Sequence, residues 1–122
     1  YVIHVLYHDP VTIQKATGVL LDLKDPPTCI IYPDDYAALG GIRELNTRSI
    51  IPGKDISIVG YDGIMLTSML VPPLTTSEQD GLVIGNKIAE TLISQIENPG
   101  EESSHIISVT GRLIKGGSVV QL

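Results

Sequence analysis

The sequence predicts an α/β protein built on a doubly wound parallel sheet with helices on both faces. Two kinds of segment carry this prediction. Short, almost uninterrupted apolar runs at residues 29–32 and 56–60 have the composition of strands that are covered on both faces. Longer segments with apolar residues at helical spacing separate them. Because parallel neighbours cannot be joined by a tight turn, this alternation favours parallel strands connected by helices.

The first predicted strand and helix lie at the amino-terminal end. Residues 2–6 form an apolar, β-branched run that is typical of a strand. Asp9 and Pro10 suit a helix N-cap and the first helical position, so a helix is predicted over about residues 10–23. The two prolines after Asp25 end it, because a residue before proline disfavours helical backbone. The apolar stripe of this helix consists of Ile13, Ala16, Leu20 and Leu23.

The middle of the chain repeats this arrangement. The run at 29–32 is predicted as a strand, and Asp34 can cap the helix that follows it. The run at 56–60 is predicted as the next strand, with Asp62 just beyond its end. Open α/β sheets bind ligands outside the carboxyl ends of their strands, so Asp62 is the first candidate binding residue. The inner stripe of the second helix consists of Ala38, Leu39, Ile42 and Leu45.

A further helix is predicted over about residues 80–97, and it ends at Asn98-Pro99-Gly100. Its apolar stripe requires an apolar partner of comparable width. An acidic connection follows at 101–104, and residues 106–114 are predicted to form one final strand that is bent at Gly111. The stripe consists of Ile84, Ile88, Leu92 and Ile96, with Gly85, Ala89 and Ile93 beside it.

Length and composition limit the functions open to this chain. Its 122 residues suffice for one core but not for a two-lobed clamp. The net charge of −6, with basic residues spread along the chain, opposes binding to duplex DNA. No apolar run approaches the roughly 20 residues of a membrane span, and the first residues lack the features of a signal peptide. A cytoplasmic location is therefore expected, while the missing initial Met leaves open whether the chain is a fragment.

Three segments between residues 28 and 80 carry a resemblance: CIIYPDDYAALGGI, IPGKDISIVGYDG and PPLTTSEQ. In order and spacing they resemble motifs of the lactose repressor/galactose repressor family of transcriptional regulators. The first is similar to that family's apolar strand followed by Asn-Asp and a small-residue helix. The second is similar to its P-x-D-(I/V)-S-(V/I)-(V/I)-G-(F/Y)-D-D pattern, with Gly63 in place of the last aspartate. The third is similar to P-P-L-T-T-(V/I)-x-Q.

The resemblance implies one lobe of a type I periplasmic-binding-protein-like fold. Residues 1–77 would form the carboxyl-terminal lobe of an effector-binding domain. Residues 78–98 would be a helix of the amino-terminal lobe, and residues 99–122 would return as a strand to the carboxyl-terminal lobe. The implied function is sensing of a sugar, sugar phosphate or nucleoside by a regulator whose DNA-binding domain is absent from this chain.

The resemblance also implies effector contacts at Asp62, Asp34, Gln79 and His8. Asp62 matches the aspartate that binds effector hydroxyls; the alternative is a turn-forming aspartate. Asp34 stands where the family has Asn, which suggests a different effector, and the alternative is a helix cap alone. Gln79 matches a glutamine at the crossing between lobes, with an ordinary first-turn residue as the alternative. His8 falls near a position where some members hold a ring that stacks on sugar.

The apolar loop IMLTSML is too hydrophobic to remain in water as a continuous patch. Family members dimerise through the corresponding loop and the helix that carries Leu39. The resemblance therefore implies a homodimer with contacts at Leu39, Met65, Met69 and Leu70. The alternative is that the loop folds onto its own core.

Enzyme functions are disfavoured, and no cofactor, metal or membrane partner is expected. Asp34, Asp35 and Asp62 with a threonine resemble the acidic pocket of a phospho-acceptor receiver domain, but their spacing is too short. The segment 81–87, GLVIGNK, lies inside a predicted helix and has the wrong spacing for a phosphate loop. The three histidines lack metal-ligand spacing, and Cys29 is expected to be buried in the core. The nearest rival is an extracytoplasmic sugar-binding protein of a transport system, which shares the fold.

Overall fold

A computed structural model describes residues 1–5, 9–99 and 106–120 of the chain. In this part of the chain, four strands form one sheet in the order β1-β2-β3-β4. The β1–β2 and β2–β3 ladders are parallel, as the sequence predicts. The elements are, in chain order, α1 (Pro10–Leu21), β1 (Cys29–Ile31), α2 (Asp35–Thr47), β2 (Ser57–Asp62), a 3₁₀ helix (Met65–Met69), β3 (Thr75–Glu78), α3 (Gly81–Glu97) and β4 (Arg112–Ile114).

The first two helices begin at the aspartate caps that the sequence predicts. The Asp9 carboxylate accepts hydrogen bonds from the backbone N–H groups of Val11 (3.0 Å) and Thr12 (3.2 Å). The Asp34 carboxylate accepts one from the N–H of Ala37 at 2.8 Å. Each cap satisfies backbone donors that have no partner inside the helix. Helix α1 ends at Leu21, earlier than the predicted end at residue 23.

The core lies between the α1–α2 pair and the sheet. The two helices approach so closely at Gly40 that a Cβ atom there would lie 2.4 Å from the carbonyl oxygen of Pro10. Only glycine fits at this crossing without a shift of backbone. The buried apolar residues are Ile13, Ile30, Tyr32, Ala37, Ala38, Leu45, Ile56, Ile58 and Leu74.

Helices α1 and α2 pack against each other and form one layer. Ile30 of β1 and Ile58 of β2 are buried, whereas Cys29 and Ile31, whose side chains alternate with that of Ile30, are exposed. Helices α1 and α2 cover the face on which Ile30 and Ile58 lie. The prediction of a buried Cys29 is wrong, because an apolar run by itself does not show which face of a strand is covered.

Two of the predicted strands differ from the structure. Residues 2–5 have no regular structure, so the strand predicted over 2–6 is wrong for its described part, and Leu6 lies outside the described residues. A strand requires a hydrogen-bonded neighbour, and the ladder of β1 runs to β2. The side chains of Tyr1, Val2, Ile3 and Val5 instead line a cavity of about 360 Å³ beside α1 and β1. At the other end, residues 106–111 are irregular and only Arg112–Ile114 forms a strand.

The segment after β4 is attached to the sheet through a buried serine. The Ser118 hydroxyl donates to the carbonyl oxygen of Ile58 at 2.7 Å and accepts from the N–H of Thr75 at 2.8 Å. Its side chain is almost completely buried. A single hydroxyl therefore satisfies one backbone acceptor on β2 and one backbone donor on β3.

Arg48 connects the end of α1 to α2. Its guanidinium contacts the carboxylates of Asp22 (2.5 Å) and Glu44 (2.8 Å). Hydrogen bonds from this guanidinium are the largest cause that lowers the pKa of each carboxyl below its ordinary value. The Asp22 carboxylate is exposed and Glu44 is partly buried, so the pairs act mainly as an electrostatic tether between the helices.

The described chain forms two compact units. The first contains Tyr1–Glu78 and the segment that begins at Leu113, and the second is Gln79–Arg112. In the second unit, α3 has no buried residue, and its apolar side chains line a groove of about 380 Å³ together with Ile107 and Val109. Neither α3 nor any other described helix combines the length and the apolar character that a membrane crossing demands.

Candidate functional site

Four acidic residues follow or end the three parallel strands. Asp34 and Asp35 come shortly after β1, Asp62 is the last residue of β2, and Glu78 is the last residue of β3. The β2–β3 register makes Asp62 and Glu78 direct partners. Because parallel strands end at the same edge of a sheet, these residues share the carboxyl edge, where open α/β sheets bind their ligands. We refer to these four residues as the acidic edge.

Asp62 lies at the tightest part of this edge. Its φ angle is 106° and that of Gly63 is 75°, so two consecutive residues have positive φ. A Cβ atom at Gly63 would lie 2.6 Å from the Cα atom of Glu78, which explains why glycine follows the aspartate. For a residue other than glycine, such a backbone costs on the order of 1–3 kcal/mol and requires support from its surroundings. Asp62 is half-buried.

The support comes from Asp35, which is completely buried. One carboxylate oxygen, Oδ2, accepts hydrogen bonds from the backbone N–H groups of Gly63 (2.8 Å) and Ile64 (2.9 Å). The other, Oδ1, accepts one from the hydroxyl of Thr76 on β3 at 2.7 Å. Hydrogen bonds to a charged group contribute about 1.5–3 kcal/mol each. Together they are large enough to offset the cost of the turn at Asp62.

Asp34 is also completely buried. It caps α2, so the structure shows the capping role that the sequence offers as one of two alternatives. Asp34 and Asp62 follow neighbouring parallel strands and therefore belong to the same edge. The capping bond uses Oδ1 of Asp34.

The two other predicted effector residues are Gln79 and His8. Gln79 directly follows β3, is half-buried, and is the first residue of the second compact unit. His8 lies outside the described residues. In the first unit, two of the predicted effector residues, Asp62 and Asp34, belong to the carboxyl edge of the sheet.

The predicted dimer residues fall into two groups. On the 3₁₀ helix, Met65 is 77% exposed and Met69 is 65% exposed, and the following Val71 is 99% exposed. Leu70 packs partly against the core, and Leu39 on α2 is half-buried. The loop thus divides its apolar residues, because part of it packs inward while the two methionines remain in solvent.

The sequence interpretation missed the part played by Asp35. Asp35 is considered there only beside Asp34 and Asp62, in the comparison with a receiver domain, and an aspartate in the first turn of a helix needs no further role. A signal was present in Gly60, where a Cβ atom would lie 2.2 Å from Oδ1 of Asp35. A glycine inside an apolar strand indicates close approach of another group, and here that group is the buried carboxylate.

Comparisons with known proteins identify the family. The profile of the periplasmic binding protein-like domain matches residues 4–119, nearly the whole chain. The HTH-type transcriptional repressor CytR of Escherichia coli is 33% identical over 105 residues, which are 86% of this chain and 31% of the repressor. The chain thus spans about a third of the length of this curated relative.

Solved structures agree with this assignment. A LacI family transcriptional regulator from Enterococcus faecium with bound ribose superimposes with a TM-score of 0.80 and 28% identity, over 93% of this chain and 41% of that one. The lac repressor dimer bound to operator and the anti-inducer ONPF gives a TM-score of 0.80 and 28% identity, over 91% and 38%. The chain therefore belongs to the periplasmic binding protein-like domain family, and it corresponds to part of the effector-binding domain of lactose repressor-type transcriptional regulators.

Proposed function

We propose that this chain senses a polyhydroxylated small molecule and forms the dimer contact of a transcriptional repressor. The effector would be a sugar, a sugar phosphate or a nucleoside, and its binding would control affinity for operator DNA. The observation that carries this proposal is Asp62, a half-buried carboxylate at the end of a parallel strand, in a turn held by a buried partner. The relatives support it, because they are repressors and one neighbour holds ribose.

The chemistry of a carboxylate suits this ligand class. Ionised Asp62 offers two acceptor oxygens, which can take hydrogen bonds from two neighbouring hydroxyl groups of one polyol. Such bonds are strengthened by the charge. Holding the backbone in one conformation before binding also reduces the entropy lost on association. A rigid acceptor at a strand end is thus an efficient anchor for a sugar ring.

Asp34, Gln79 and His8 complete the proposed effector site. Asp34 comes after β1, and β1 pairs with β2, the strand that ends at Asp62. As a carboxylate, Asp34 only accepts hydrogen bonds, whereas Asn could also donate them. Two acids at one site would favour a ligand that is rich in donors. Gln79, which directly follows β3, would contribute a side-chain amide, and His8 would supply a flat face for stacking.

The proposed dimer surface comprises Met65, Met69, Leu70 and Leu39. Exposed methionines on a short 3₁₀ helix form a patch of flexible apolar side chains, and such patches are typical of interaction sites. The lac repressor structure that this chain resembles is a dimer. Analytical ultracentrifugation of the chain should show a dimer that Met69→Lys dissociates. Lys24→Met, which leaves this loop unchanged, should not alter the oligomeric state.

In the proposed mechanism, the effector shifts a population of lobe arrangements. We assign residues 78–98 to the amino-terminal lobe and residues 1–77 and 99–122 to the carboxyl-terminal lobe; the start of the second compact unit at Gln79 supports the first of these boundaries. An effector that binds one arrangement better would shift the dimer toward it. DNA would be read in the cytoplasm by a domain that is absent from this chain. The role is recognition and not catalysis.

An extracytoplasmic sugar-binding protein of a transport system is the second candidate, because it shares the family fold. The 33% identity to a repressor favours the regulator. The residues encoded upstream of this chain discriminate between the two. A helix-turn-helix there would support the regulator, and a signal peptide would support the transport protein.

Binding experiments test the effector site directly. We suggest titrating the chain with D-ribose, lactose, a sugar phosphate and a nucleoside while following backbone amide signals by NMR. At least one ligand should shift the signals of residues 61–64, and Asp62→Asn should weaken its affinity. Asp25→Asn is the matched control, since Asp25 is exposed and precedes β1 at the amino end of the strand. Equal affinity of Asp62→Asn and the wild type would refute the assignment.

A further inference from the structure

We propose that Asp35 is a positioning residue of the effector site, an inference that rests on the proposed function of Asp62. Its buried carboxylate holds the turn after Asp62 and connects that turn to β3. Asp35 itself does not need to touch the ligand. It determines where the Asp62 carboxylate points, and it makes the turn and β3 respond together.

A single oxygen of Asp35 holds the turn after Asp62. Both backbone donors that follow Asp62, the N–H groups of Gly63 and Ile64, end on the same oxygen of Asp35. These two bonds are made while Asp62 and Gly63 have positive φ. Any rotation of the Asp62 backbone toward an extended conformation would move both donors away from Oδ2. The acceptor therefore selects the conformation in which Asp62 is presented.

Asp35 is also hydrogen-bonded to β3. The remaining oxygen of Asp35 accepts a hydrogen bond from Thr76, whose side chain is completely buried. Thr76 lies two positions before Glu78, the last residue of β3, after which the chain continues to Gln79. One carboxylate thus ties the effector-side turn to the strand that leads into the second compact unit. A ligand that pulls on Asp62 would act on β3 through this bond.

The surroundings of the Asp35 side chain fit a carboxylate. Three donors from two segments, the turn at Gly63–Ile64 and Thr76 on β3, approach the two oxygens, and all are within 2.9 Å. Gly60 provides the space, because a Cβ atom there would lie 2.2 Å from Oδ1. An asparagine could keep all three partners by turning its oxygen to the turn and its amide to the Thr76 hydroxyl, with weaker neutral bonds. An alanine would lose all three.

The wild type, Asp35→Asn and Asp35→Ala should therefore bind a ligand with decreasing affinity. The test uses the 122-residue chain and D-ribose as the probe. Asp35→Ala should accelerate hydrogen exchange at the Gly63 and Ile64 amides, change the HN–Hα coupling of Asp62, and weaken ribose binding by at least about tenfold. Asp35→Asn should restore much of the affinity. A residue that is important only for global stability would not show this local pattern.

A second variant keeps the test decisive if Asp35→Ala does not fold. Thr76→Val removes only the bond to β3, and Thr17→Val is its matched control. Thr17 is also buried, and it forms one side-chain hydrogen bond, to Tyr32 at 3.0 Å. Both substitutions should lower the melting temperature, but only Thr76→Val should weaken ribose binding and loosen the turn.

The outcomes separate the two proposals. If ribose binds the wild type and binds the Asp35 and Thr76 variants equally well, the positioning role is refuted and the proposed function stands. If no polyol binds the wild type but the Asp35 variants release the turn amides, the proposed effector site is refuted while the control of Asp62 by Asp35 is supported. Unchanged exchange at the Gly63 and Ile64 amides in the variants would refute the inference directly.

Discussion

Gly40→Ala should destabilise the first unit although alanine is the better helix former. Inside a helix this exchange gains about 0.8–1 kcal/mol of propensity. At Gly40, however, the new Cβ atom would lie 2.4 Å from the carbonyl oxygen and 2.9 Å from the Cα of Pro10. Backbone atoms cannot rotate away, so α1 and α2 must separate. Overpacking of this kind costs about 1–3 kcal/mol or more, and we expect a net loss of about 1–2 kcal/mol.

Two other helical glycines provide the controls. At Gly85 on α3 a Cβ atom would meet nothing within 4 Å, so Gly85→Ala should raise helix stability by the full propensity gain. At Gly18 the nearest atoms, at 3.1 Å, are the side-chain ends of Arg48 and Glu44, which can move. Gly18→Ala should therefore be close to neutral, because the propensity gain is offset by the displaced ion pair.

Urea denaturation followed by circular dichroism measures the three changes in the free energy of unfolding. The order of stability should be Gly85→Ala above the wild type, Gly18→Ala near it, and Gly40→Ala below it. If Gly40→Ala unfolded at the same urea concentration as the wild type, the close crossing of α1 and α2 would be incorrect. If Gly85→Ala were strongly destabilising, α3 would have a neighbour at that position.

Three further predictions concern buried polar groups and pH. Ser118→Ala should lower the free energy of unfolding in urea by about 1–3 kcal/mol, because it leaves a buried backbone donor and a buried backbone acceptor without partners. A loss below about 0.5 kcal/mol would contradict the hydrogen bonds of the buried serine. The pKa values of Asp22 and Glu44 lie below their ordinary 3.8 and 4.5 through hydrogen bonds from Arg48, so their stabilising contribution is present above pH 4.5 and is lost as pH falls through the lowered values. Arg48→Gln should flatten this acid limb of stability against pH, and an unchanged acid limb would count against the tether. Burial raises the pKa of Tyr32 from 10 to about 12, so its folded state favours the neutral phenol, and stability should fall as pH rises between these values. Tyr32→Phe should abolish that alkaline fall, and persistence of the fall would assign it to another group.

The sequence predicts the helices and the central strands because their signals are local. The predicted aspartate caps at Asp9 and Asp34 agree with the structure, since capping depends on a few neighbouring backbone groups. The parallel ladder β1–β2 also follows from the alternation of apolar runs and helices, since α2 connects these two strands. These features need no knowledge of distant contacts.

The failures concern features that depend on neighbours far along the chain. Whether residues 2–5 form a strand depends on a hydrogen-bonded partner, which β propensity cannot supply. The exposure of Cys29 depends on which face the helices cover. The role of Asp35 depends on Gly63, Ile64 and Thr76, which lie 28 to 41 positions away. A carboxylate that binds distant backbone amides resembles, in sequence, any other first-turn aspartate.

The positive φ at position 62 has a consequence for substitution at that position. Asp and Asn tolerate this backbone region better than most side chains, whereas β-branched residues are severely disfavoured there. A change between Asp and Asn would thus leave the chain path almost intact while exchanging a pure acceptor for a group that both accepts and donates. The local backbone geometry limits position 62 to a few polar side chains. Within that small set, a single exchange would change the ligand preference of the proposed effector site while the fold stays the same.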